Sequence, residues 1–563
     1  MDNIFFIVMR RMRAPLILLV SMYAIAILGL VLIPGQDDAG NLWHMDFFHA
    51  FYFVSFMAST IGFGEIPFEF TEGQRLWVTV TIYTTVVVWI YSIGTIINLV
   101  QDPAFKQAMR ERRFASRVKR LRDTFYIICG YGETGRALVR ALTDHDQLAV
   151  VLEEKWDRIN TLRMENLRQF VPGLCGDAGD PGHMLKAGLR HPRCAGVVAL
   201  SRSNELNLKV AITTKLLRKE IKVICRADSH DVEANMESFG TDHIVDPFDL
   251  FSLDLATAFQ APCLYLIQEW LSGYSREQLE EPVYPPREGC WIVCGYGRFG
   301  KAVYKRLMDE GIETVVIEMT PEKTGKPSGL CIKGRGTEAV TLREAGVETA
   351  VGLVAGTDDD INNLSIIMTA RELNPDLFVI ARQNRQENQA LFDAVDEDML
   401  MHPSFIIANR IRMLLSTPLL SDFLSLSLFN NDTWACELVS LIVATVDVET
   451  PEVWEIDVNQ EGAPAICRSI AAGNVHTLGE MMLSPRKREY ELSCIALMHV
   501  RQETRILLPE PDQVIKCGDK LLFCGKESAS SLMRWIMLNE NVLSYIHTGQ
   551  PGPEGSVWRI LRR

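Results

Sequence analysis

A glycine-rich motif that can bind phosphate occurs twice in the chain, each time after an apolar run. The first copy lies in TFYIICGYGETGRAL (124–138) and the second in CWIVCGYGRFGKAV (290–303). In both, an acidic residue ends another apolar run 23 positions after the first glycine. Such a loop lets a phosphate approach a helix N-terminus, and the acid is spaced to accept a ribose hydroxyl. The motif residues are Gly130, Gly132, Gly135 and Glu153 in the first copy, and Gly295, Gly297, Gly300 and Glu318 in the second.

The similarity between the two copies continues downstream of the motifs. The stretch 199–208 corresponds to 355–364, and Cys225-Arg226 corresponds to Ala381-Arg382. An internal repeat of this length indicates two copies of one structural unit. The sequence therefore predicts two Rossmann-like units in tandem, over 123 to about 260 and 289 to about 410.

Two apolar segments in the first hundred residues are long enough to cross a membrane. One runs over about 14–34 behind three arginines, Arg10, Arg11 and Arg13, and the other over about 76–100, followed by a basic cluster at 101–122. Basic flanks favour the cytoplasmic side, so both outer ends are expected inside the cell. Residues 44–58 are aromatic and too short to span, which suits a re-entrant helix. The sequence thus predicts a multi-pass protein of the cell (inner) membrane with cytoplasmic termini.

A short glycine-rich string follows the re-entrant segment. Residues 60–65 read TIGFGE and resemble the potassium-channel signature TVGYGD. In such a filter, backbone carbonyls replace the water of a dehydrated potassium ion. Alternating glycines permit the backbone angles that point successive carbonyls inward. The predicted filter consists of Thr60, Ile61, Gly62, Phe63 and Gly64.

One subunit supplies only a quarter of such a filter. A closed ring of four copies is therefore expected, in contact with the lipid bilayer. Gly94 lies in the second span and resembles the hinge glycine of inner pore helices. Close helix packing is the other reason for a small residue there.

With the pore, the tandem repeat resembles the regulators of potassium conductance, or RCK domains, of prokaryotic ligand-gated potassium channels. The resemblance extends to Tyr490–Lys526, which is similar to the small C-terminal lobe of these domains, and it implies a homotetramer with a ring of eight RCK domains. It also implies a regulatory ligand, NAD or ADP or another adenine nucleotide, in the first cleft. The implied ligand residues there are Gly130, Gly132, Glu133, Thr134, Gly135, Glu153, Asp177, Ser203 and Asn204.

Two further ligand sites follow from the same resemblance. The second cleft has the candidates Gly295, Gly297, Arg298, Gly300, Glu318 and Arg335, with Arg335 near the position of Asp177 in the first copy. Asp358, Asp359 and Asp360 form the densest acidic cluster, and domains of this family can bind calcium. Successive carboxylates at a strand-to-helix turn also serve as helix caps.

Composition agrees with a membrane region joined to soluble domains. Hydrophobic residues make up 48% and charged residues 23% of 563 residues. The net charge of −14 argues against nucleic-acid binding. Most of the thirteen cysteines lie in apolar runs, where reduced thiols are expected.

The expected fold is an α-helical two-transmembrane pore followed by an α/β cytoplasmic region with two tandem Rossmann-like RCK domains and a small α+β lobe. The expected function is a nucleotide-gated potassium channel and not an enzyme. A weakly selective cation channel, an NAD-dependent enzyme on a membrane anchor and the peripheral ring of a potassium transporter are the alternatives. The predicted domains are a pore at 1–101, a linker at 102–122, RCK domains at 123–288 and 289–430, and a lobe and tail at 431–563.

Overall fold

The computed structural model describes residues 2–62, 64–227, 230–272, 281–447 and 449–550. The chain forms two compact units, Met1–Arg120 and Leu121–Arg563. The predicted filter residue Phe63 lies outside the described residues, as do 273–280 and 551–563 of the predicted domains.

The first unit is helical. Two of its helices contain stretches long and apolar enough to cross a membrane, Val8–Leu32 and Glu72–Gln101. The first helix begins well before residue 14, so its arginines are helical, and much of the predicted linker is also a helix. The elements are α1 (Asp2–Leu32), β1 (Gly35–Gln36), β2 (Leu42–Trp43), α2 (Phe47–Ala58), α3 (Glu72–Gln101) and α4 (Pro103–Val118).

Close packing joins α1 to α3. The indole of Trp77 lies over Gly29 and donates a hydrogen bond to the carbonyl oxygen of Ala26 at 3.1 Å. A Cβ atom at Gly29 would lie 2.1 Å from the Trp77 ring, so this contact requires glycine. Small residues allow such approaches between membrane helices.

The second unit contains two parallel six-stranded sheets with the same order, which confirms the predicted Rossmann-like repeats. The first sheet has the order β5-β4-β3-β6-β7-β8 and the second β11-β10-β9-β12-β13-β14. Their central strands are buried on both faces, which explains the continuous apolar runs in the sequence. The first copy consists of β3 (Phe125–Cys129), α5 (Glu133–Asp144), β4 (Leu148–Glu153), α6 (Trp156–Met164), β5 (Gly173–Cys175), α7 (Pro181–Lys186), β6 (Cys194–Ala199), α8 (Asn204–Leu217), β7 (Lys222–Arg226), α9 (His230–Ser238) and β8 (His243–Val245).

The second copy follows the same order of elements. It consists of β9 (Cys290–Cys294), α12 (Arg298–Asp309), β10 (Glu313–Glu318), α13 (Pro321–Thr324), β11 (Cys331–Lys333), α14 (Ala339–Glu344), β12 (Gly352–Ala355), α15 (Asp360–Leu373), β13 (Phe378–Arg382), α16 (Gln389–Asp393) and β14 (Met399–Met401), with short 3₁₀ helices at Val347–Thr349 and Gln386–Asn388.

The helices that follow each sheet pack on the other copy. After the first sheet, α10 (Pro247–Gln260) places Phe248 and Phe251 in the core of the second sheet, against Phe299. After the second sheet, α17 (Pro403–Ser416) places Ile407 and Ile411 in the core of the first. The two Rossmann-like units are therefore held together by reciprocal exchange of helices within one chain.

The remaining elements build the C-terminal lobe. Its main sheet is antiparallel, in the order β15-β20-β17-β18. The elements are α11 (Pro262–Ser272), α18 (Pro418–Ser427), α19 (Asp432–Val446), β15 (Glu452–Asp457), α20 (Pro464–Ala471), β16 (His476–Thr477), α21 (Leu478–Met481), β17 (Cys494–Arg501), β18 (Thr504–Leu507), β19 (Val514–Ile515), β20 (Lys520–Gly525), α22 (Glu527–Leu538) and α23 (Glu540–Thr548).

A disulfide joins Cys263 of α11 to Cys436 of α19. These two cysteines depart from the expectation of reduced thiols, because the helices that carry them pack side by side. The other eleven cysteines form no disulfide bond.

Candidate functional site

The segment after α2 has left-handed backbone conformations at three of the predicted filter positions. Thr60, Gly62 and Gly64 have φ angles of +60°, +67° and +99°. Among the described residues of one chain, nothing lies within 4 Å of a Cβ atom at Gly62 or Gly64, so conformation rather than space within the chain favours glycine at both positions. A threonine in the left-handed region costs energy, and such strain is found at functional sites. Left-handed residues at every second position turn successive carbonyls to one side, as a row of ion ligands needs.

An ion pair that was not predicted from the sequence lies directly after this segment. The Arg75 guanidinium donates from Nε to Oε1 of Glu65 at 2.9 Å and from Nη2 to Oε2 at 3.0 Å. Glu65 also accepts the Phe70 backbone N–H at 2.8 Å. The glutamate that replaces the usual aspartate is thus fixed to the first turn of α3 by a bidentate pair. The only signal in the sequence was an arginine ten positions after an acid.

Gly94 lies in α3, where no described residue of the same chain lies within 4 Å of a Cβ atom built on it. Space within one subunit therefore does not require glycine at this position, and the hinge stays a prediction.

The first glycine motif forms the turn between β3 and α5. Gly130 has a φ of +105°, and a Cβ atom at Gly135 would lie 2.1 Å from the Gly130 carbonyl oxygen. Glu153 is only 4% exposed and accepts the backbone N–H groups of Tyr131 at 2.6 Å and Lys155 at 2.9 Å. The acid therefore holds the glycine loop in place while standing at the end of β4, next to the cleft.

Arg158, another residue missed from sequence, covers this loop. Its Nη1 lies 3.1 Å from Oε2 of Glu153, and its guanidinium lies 3.8 Å from the position of a Cβ atom on Gly132. A guanidinium over a glycine turn at a helix N-terminus is suited to bind phosphate. The position of Arg158 in α6, five residues after the acid, could have indicated it.

The end of β6 completes the first cleft. Ser203 caps α8 by accepting the Leu206 N–H at 3.2 Å. The Oδ1 atom of Asn204 is buried without a hydrogen-bond partner among the described residues. A buried acceptor of this kind is rare unless a ligand or water supplies the donor. Asp177 accepts the Gly179 N–H at 2.6 Å and lies 3.8 Å from Lys209 Nζ.

Glu133 and Thr134 occupy the first turn of α5. Thr134 is buried and its hydroxyl lies 3.2 Å from the Ser404 hydroxyl, so it belongs to the contact with α17. The glycine loop, Glu153, Arg158 and the orphaned oxygen of Asn204 together fit an adenine nucleotide, with its phosphates at the loop and its ribose near β4.

The second cleft has the same contact between glycine loop and glutamate as the first, but different side chains surround it. Glu318 accepts the Tyr296 N–H at 2.6 Å, as Glu153 does for Tyr131. Among the described residues other than its two chain neighbours, nothing lies within 4 Å of a Cβ atom on Gly297, whereas Arg158 lies over the first loop. Arg298 lies 5.2 Å from the Phe248 ring, where it stacks on α10, and Arg335 is exposed.

Two carboxylates of the acidic cluster accept hydrogen bonds from backbone N–H groups of the second copy. Asp359 caps α15 by accepting the Asn362 N–H at 2.9 Å. Asp360, at the position of Asn204 in the repeat, accepts from the backbone of Asn384 at 2.6 Å and of Arg385 at 3.0 Å. Two of the three carboxylates thus serve as a helix cap and a loop anchor, and calcium binding here stays a prediction.

Comparison with known families agrees with this arrangement. The ion-channel family matches residues 16–102, and the TrkA-N domain family matches 126–247 and 291–403. The chain therefore joins a region similar to the ion-channel family to two regions similar to the TrkA-N domain family.

Individual proteins are similar to parts of this chain. Potassium channel protein 1 of Methanocaldococcus jannaschii is 26% identical over 213 residues, 38% of this chain and 62% of that protein. The Trk system potassium uptake protein TrkA homolog of Pyrococcus abyssi is 32% identical over 136 residues, 23% of this chain and 60% of that protein. The chain thus spans less than two thirds of these relatives. A solved structure called GsuK Channel shares the fold with a TM-score of 0.51 and 16% identity, over 94% of this chain and 99% of that one.

Proposed function

We propose that this protein is a nucleotide-gated potassium channel, a homotetramer whose pore is controlled by a cytoplasmic ring of eight RCK domains. The observation that carries the proposal is the filter backbone, with left-handed φ angles at residues 60, 62 and 64 between α2 and α3. A row of carbonyls is the chemistry that replaces the water of potassium. The names of the similar potassium channel and uptake proteins support the same ion.

The regulatory ligand is NAD or ADP or a related adenine nucleotide in the first cleft. Arg158 and the amides of the glycine loop would hold phosphate, Glu153 would accept a ribose hydroxyl, and Asn204 would accept a donor from the ligand. The second cleft is the weaker candidate because Asp360, at the position of Asn204, already accepts from the backbone of Asn384 and Arg385.

Gating follows from differential affinity. A ligand that prefers one shape of the ring shifts the population toward it, by an amount set by its affinity ratio for the two shapes. The chain continues from α3 through α4 into β3. A change of shape in the ring would therefore be transmitted to the pore helix along this covalent connection.

The pore is tested by ion flux. We expect purified protein in liposomes to conduct potassium much faster than sodium, and Gly62→Ala to abolish flux because alanine disfavours the left-handed conformation. Gly40→Ala is a matched control, since Gly40 has a φ of +80° in open space outside the filter. Equal potassium and sodium flux would support the weakly selective cation channel instead.

The sensor is tested by nucleotide titration of the same flux. We expect Glu153→Gln to weaken the response to NAD or ADP and the matched change Glu318→Gln to affect it less. Binding measured by calorimetry on the detergent-solubilised channel separates lost affinity from lost coupling. If Glu153→Gln leaves both binding and response unchanged, the nucleotide site is not in the first cleft.

A further inference from the structure

The C-terminal lobe brings together two histidines and a glutamate that the nucleotide and filter sites do not use. His476 lies in β16, Glu480 in α21 and His547 in the last turn of α23. The Nδ1 atom of His476 lies 2.9 Å from Oε2 of Glu480, and the Nδ1 atom of His547 lies 3.1 Å from Oε1. One ligand atom from each residue lies within 4.8 Å of the others. Sixty-seven residues separate Glu480 from His547, so only the fold makes this group.

The far side of the His476 ring is held by a hydroxyl. Its Nε2 atom lies 2.7 Å from Oγ of Ser469, and Oγ accepts the side-chain amide of Asn474 at 3.0 Å. Histidines that bind metal commonly donate their second N–H to such a partner, which fixes the ring and frees the other nitrogen. With Nε2–H donated to Ser469, the Nδ1 lone pair of His476 faces the Glu480 carboxylate.

A nitrogen lone pair and a carboxylate oxygen repel each other at 2.9 Å, so a proton or a metal ion must lie between them. Two arrangements satisfy the group. In one, each imidazole carries its proton on Nδ1 and donates to Glu480. In the other, a single metal ion takes the place of both protons. Two histidine nitrogens and a carboxylate oxygen form a donor set typical of zinc.

We propose that His476, Glu480 and His547 bind one divalent transition-metal ion, with zinc as the favoured ion. Tetrahedral zinc with bonds of about 2.0–2.1 Å places its ligand atoms roughly 3.3 Å apart. The two histidine nitrogens lie 2.9 Å and 3.1 Å from different oxygens of Glu480, and one ligand atom from each residue lies within 4.8 Å of the others, so small side-chain adjustments would bring both nitrogens and one oxygen to the ion. His476 is buried, whereas Glu480 and His547 are 21% and 33% exposed at their side chains. The ion can therefore enter from solvent and keep a water as its fourth ligand.

The ion would tie α23 to the strand–helix segment at 476–481. This helix packs on α20 and α22, and Glu540 at its start also pairs with Arg468 of α20 at 2.5 Å. Zinc would thus fasten the last described helix of the lobe at its C-terminal end. Since these residues are separate from the nucleotide-binding and filter residues, the inference does not depend on the proposed function.

The test uses the full-length protein in detergent, stripped with EDTA and titrated with zinc sulfate by calorimetry. We expect one zinc per subunit with micromolar or tighter affinity, and cobalt(II) in its place should give the visible absorption of a tetrahedral site. His547→Asn should abolish this site, while Ser469→Ala should weaken it roughly tenfold, the usual cost of losing an outer partner. His191→Asn, on the first Rossmann-like unit, is the matched control and should bind as wild type does.

Equal zinc binding by wild type and His547→Asn would overturn the proposal, as would wild type that binds no zinc. Metal-free melting temperature and elution volume establish that His547→Asn is folded. If that variant is unstable, Glu480→Gln replaces it, because glutamine keeps the side-chain volume and loses the charge. Retained stoichiometry in a folded Glu480→Gln would equally reject the site.

Discussion

Arg158 has the arrangement of a phosphate ligand because its guanidinium is fixed at one end by Glu153 and lies over Gly132. The loop below it supplies backbone N–H groups at the start of α5, where the helix dipole favours negative charge. Arg158 and the glycine loop therefore both favour a phosphate group. The contribution of Arg158 can be tested separately from that of Glu153.

We predict that Arg158→Gln lowers the affinity for ADP or NAD by roughly 10- to 100-fold, because it removes a charge-assisted hydrogen bond worth roughly 1.5–3 kcal/mol. Lys323→Gln, at the corresponding position five residues after Glu318, should change affinity little. Calorimetry on the intact channel measures both. Similar losses in the two variants would mean that the clefts contribute equally.

Glu65 directly follows the proposed filter and is paired with Arg75. We predict that Glu65→Gln lowers the ratio of potassium to sodium flux, because the bidentate pair that holds the end of the filter is lost. Glu69→Gln changes a neighbouring acid outside this pair and should leave the ratio near that of wild type. An unchanged ratio in Glu65→Gln would show that the filter is held by other contacts.

At the scale of elements, Glu455 fixes a strand to a helix. It lies in β15 and accepts the Leu419 N–H at the start of α18 at 2.6 Å. Burial raises the pKa of Glu455 to about 7, against the lowering effect of that N–H. Between its ordinary pKa and 7 the folded lobe therefore keeps a proton that the unfolded chain releases. The free energy of unfolding must then fall as pH rises through this window.

We predict that Glu455→Gln, which retains an oxygen for Leu419, removes this loss of stability. Its melting temperature should equal that of wild type near pH 5 and exceed it by roughly 5 °C at pH 8, since a shift of this size corresponds to about 3 kcal/mol. Glu461→Gln, at an exposed position, is the control. A difference that does not change between pH 5 and pH 8 would contradict the prediction.

At the scale of the second unit, exchanged helices couple the two Rossmann-like copies. Ile407 of α17 is fully buried beside Ile128 and Leu138 of the first copy. Phe251 of α10 lies beside Phe299 of the second. A change of shape in one sheet must therefore move a helix that begins at the end of the other, which links the two clefts mechanically.

We predict that Ile407→Ala loosens the first sheet and that Phe251→Ala loosens the second. Each truncation of a buried side chain should cost roughly 2–5 kcal/mol. Hydrogen exchange followed by mass spectrometry should show faster exchange in 125–245 for the first variant and in 290–401 for the second. The reverse pattern would mean that each helix mainly stabilises the copy that precedes it.

Much of the fold was predictable because its signals are local. The glycine motifs, the acids 23 residues beyond them and the charge-free spans depend on backbone geometry, phosphate chemistry and membrane thickness, and each is expressed within a short window of sequence. The structure confirms the two Rossmann-like copies in the predicted order. It also has positive φ angles at Gly62 and Gly64 of the predicted filter, while the filter itself stays a prediction.

Tertiary structure alone decided the contacts between distant segments. The pairing of Thr134 with Ser404 joins positions 270 residues apart, and the exchange of α10 and α17 cannot be read from either helix, since an apolar face does not specify its partner. The grouping of His476 with His547 and the buried oxygen of Asn204 likewise depend on how whole layers pack. The sequence by itself determined the kinds of units and their order. Their mutual packing determined which side chains meet, because side-chain contacts are set by three-dimensional proximity and not by spacing along the chain.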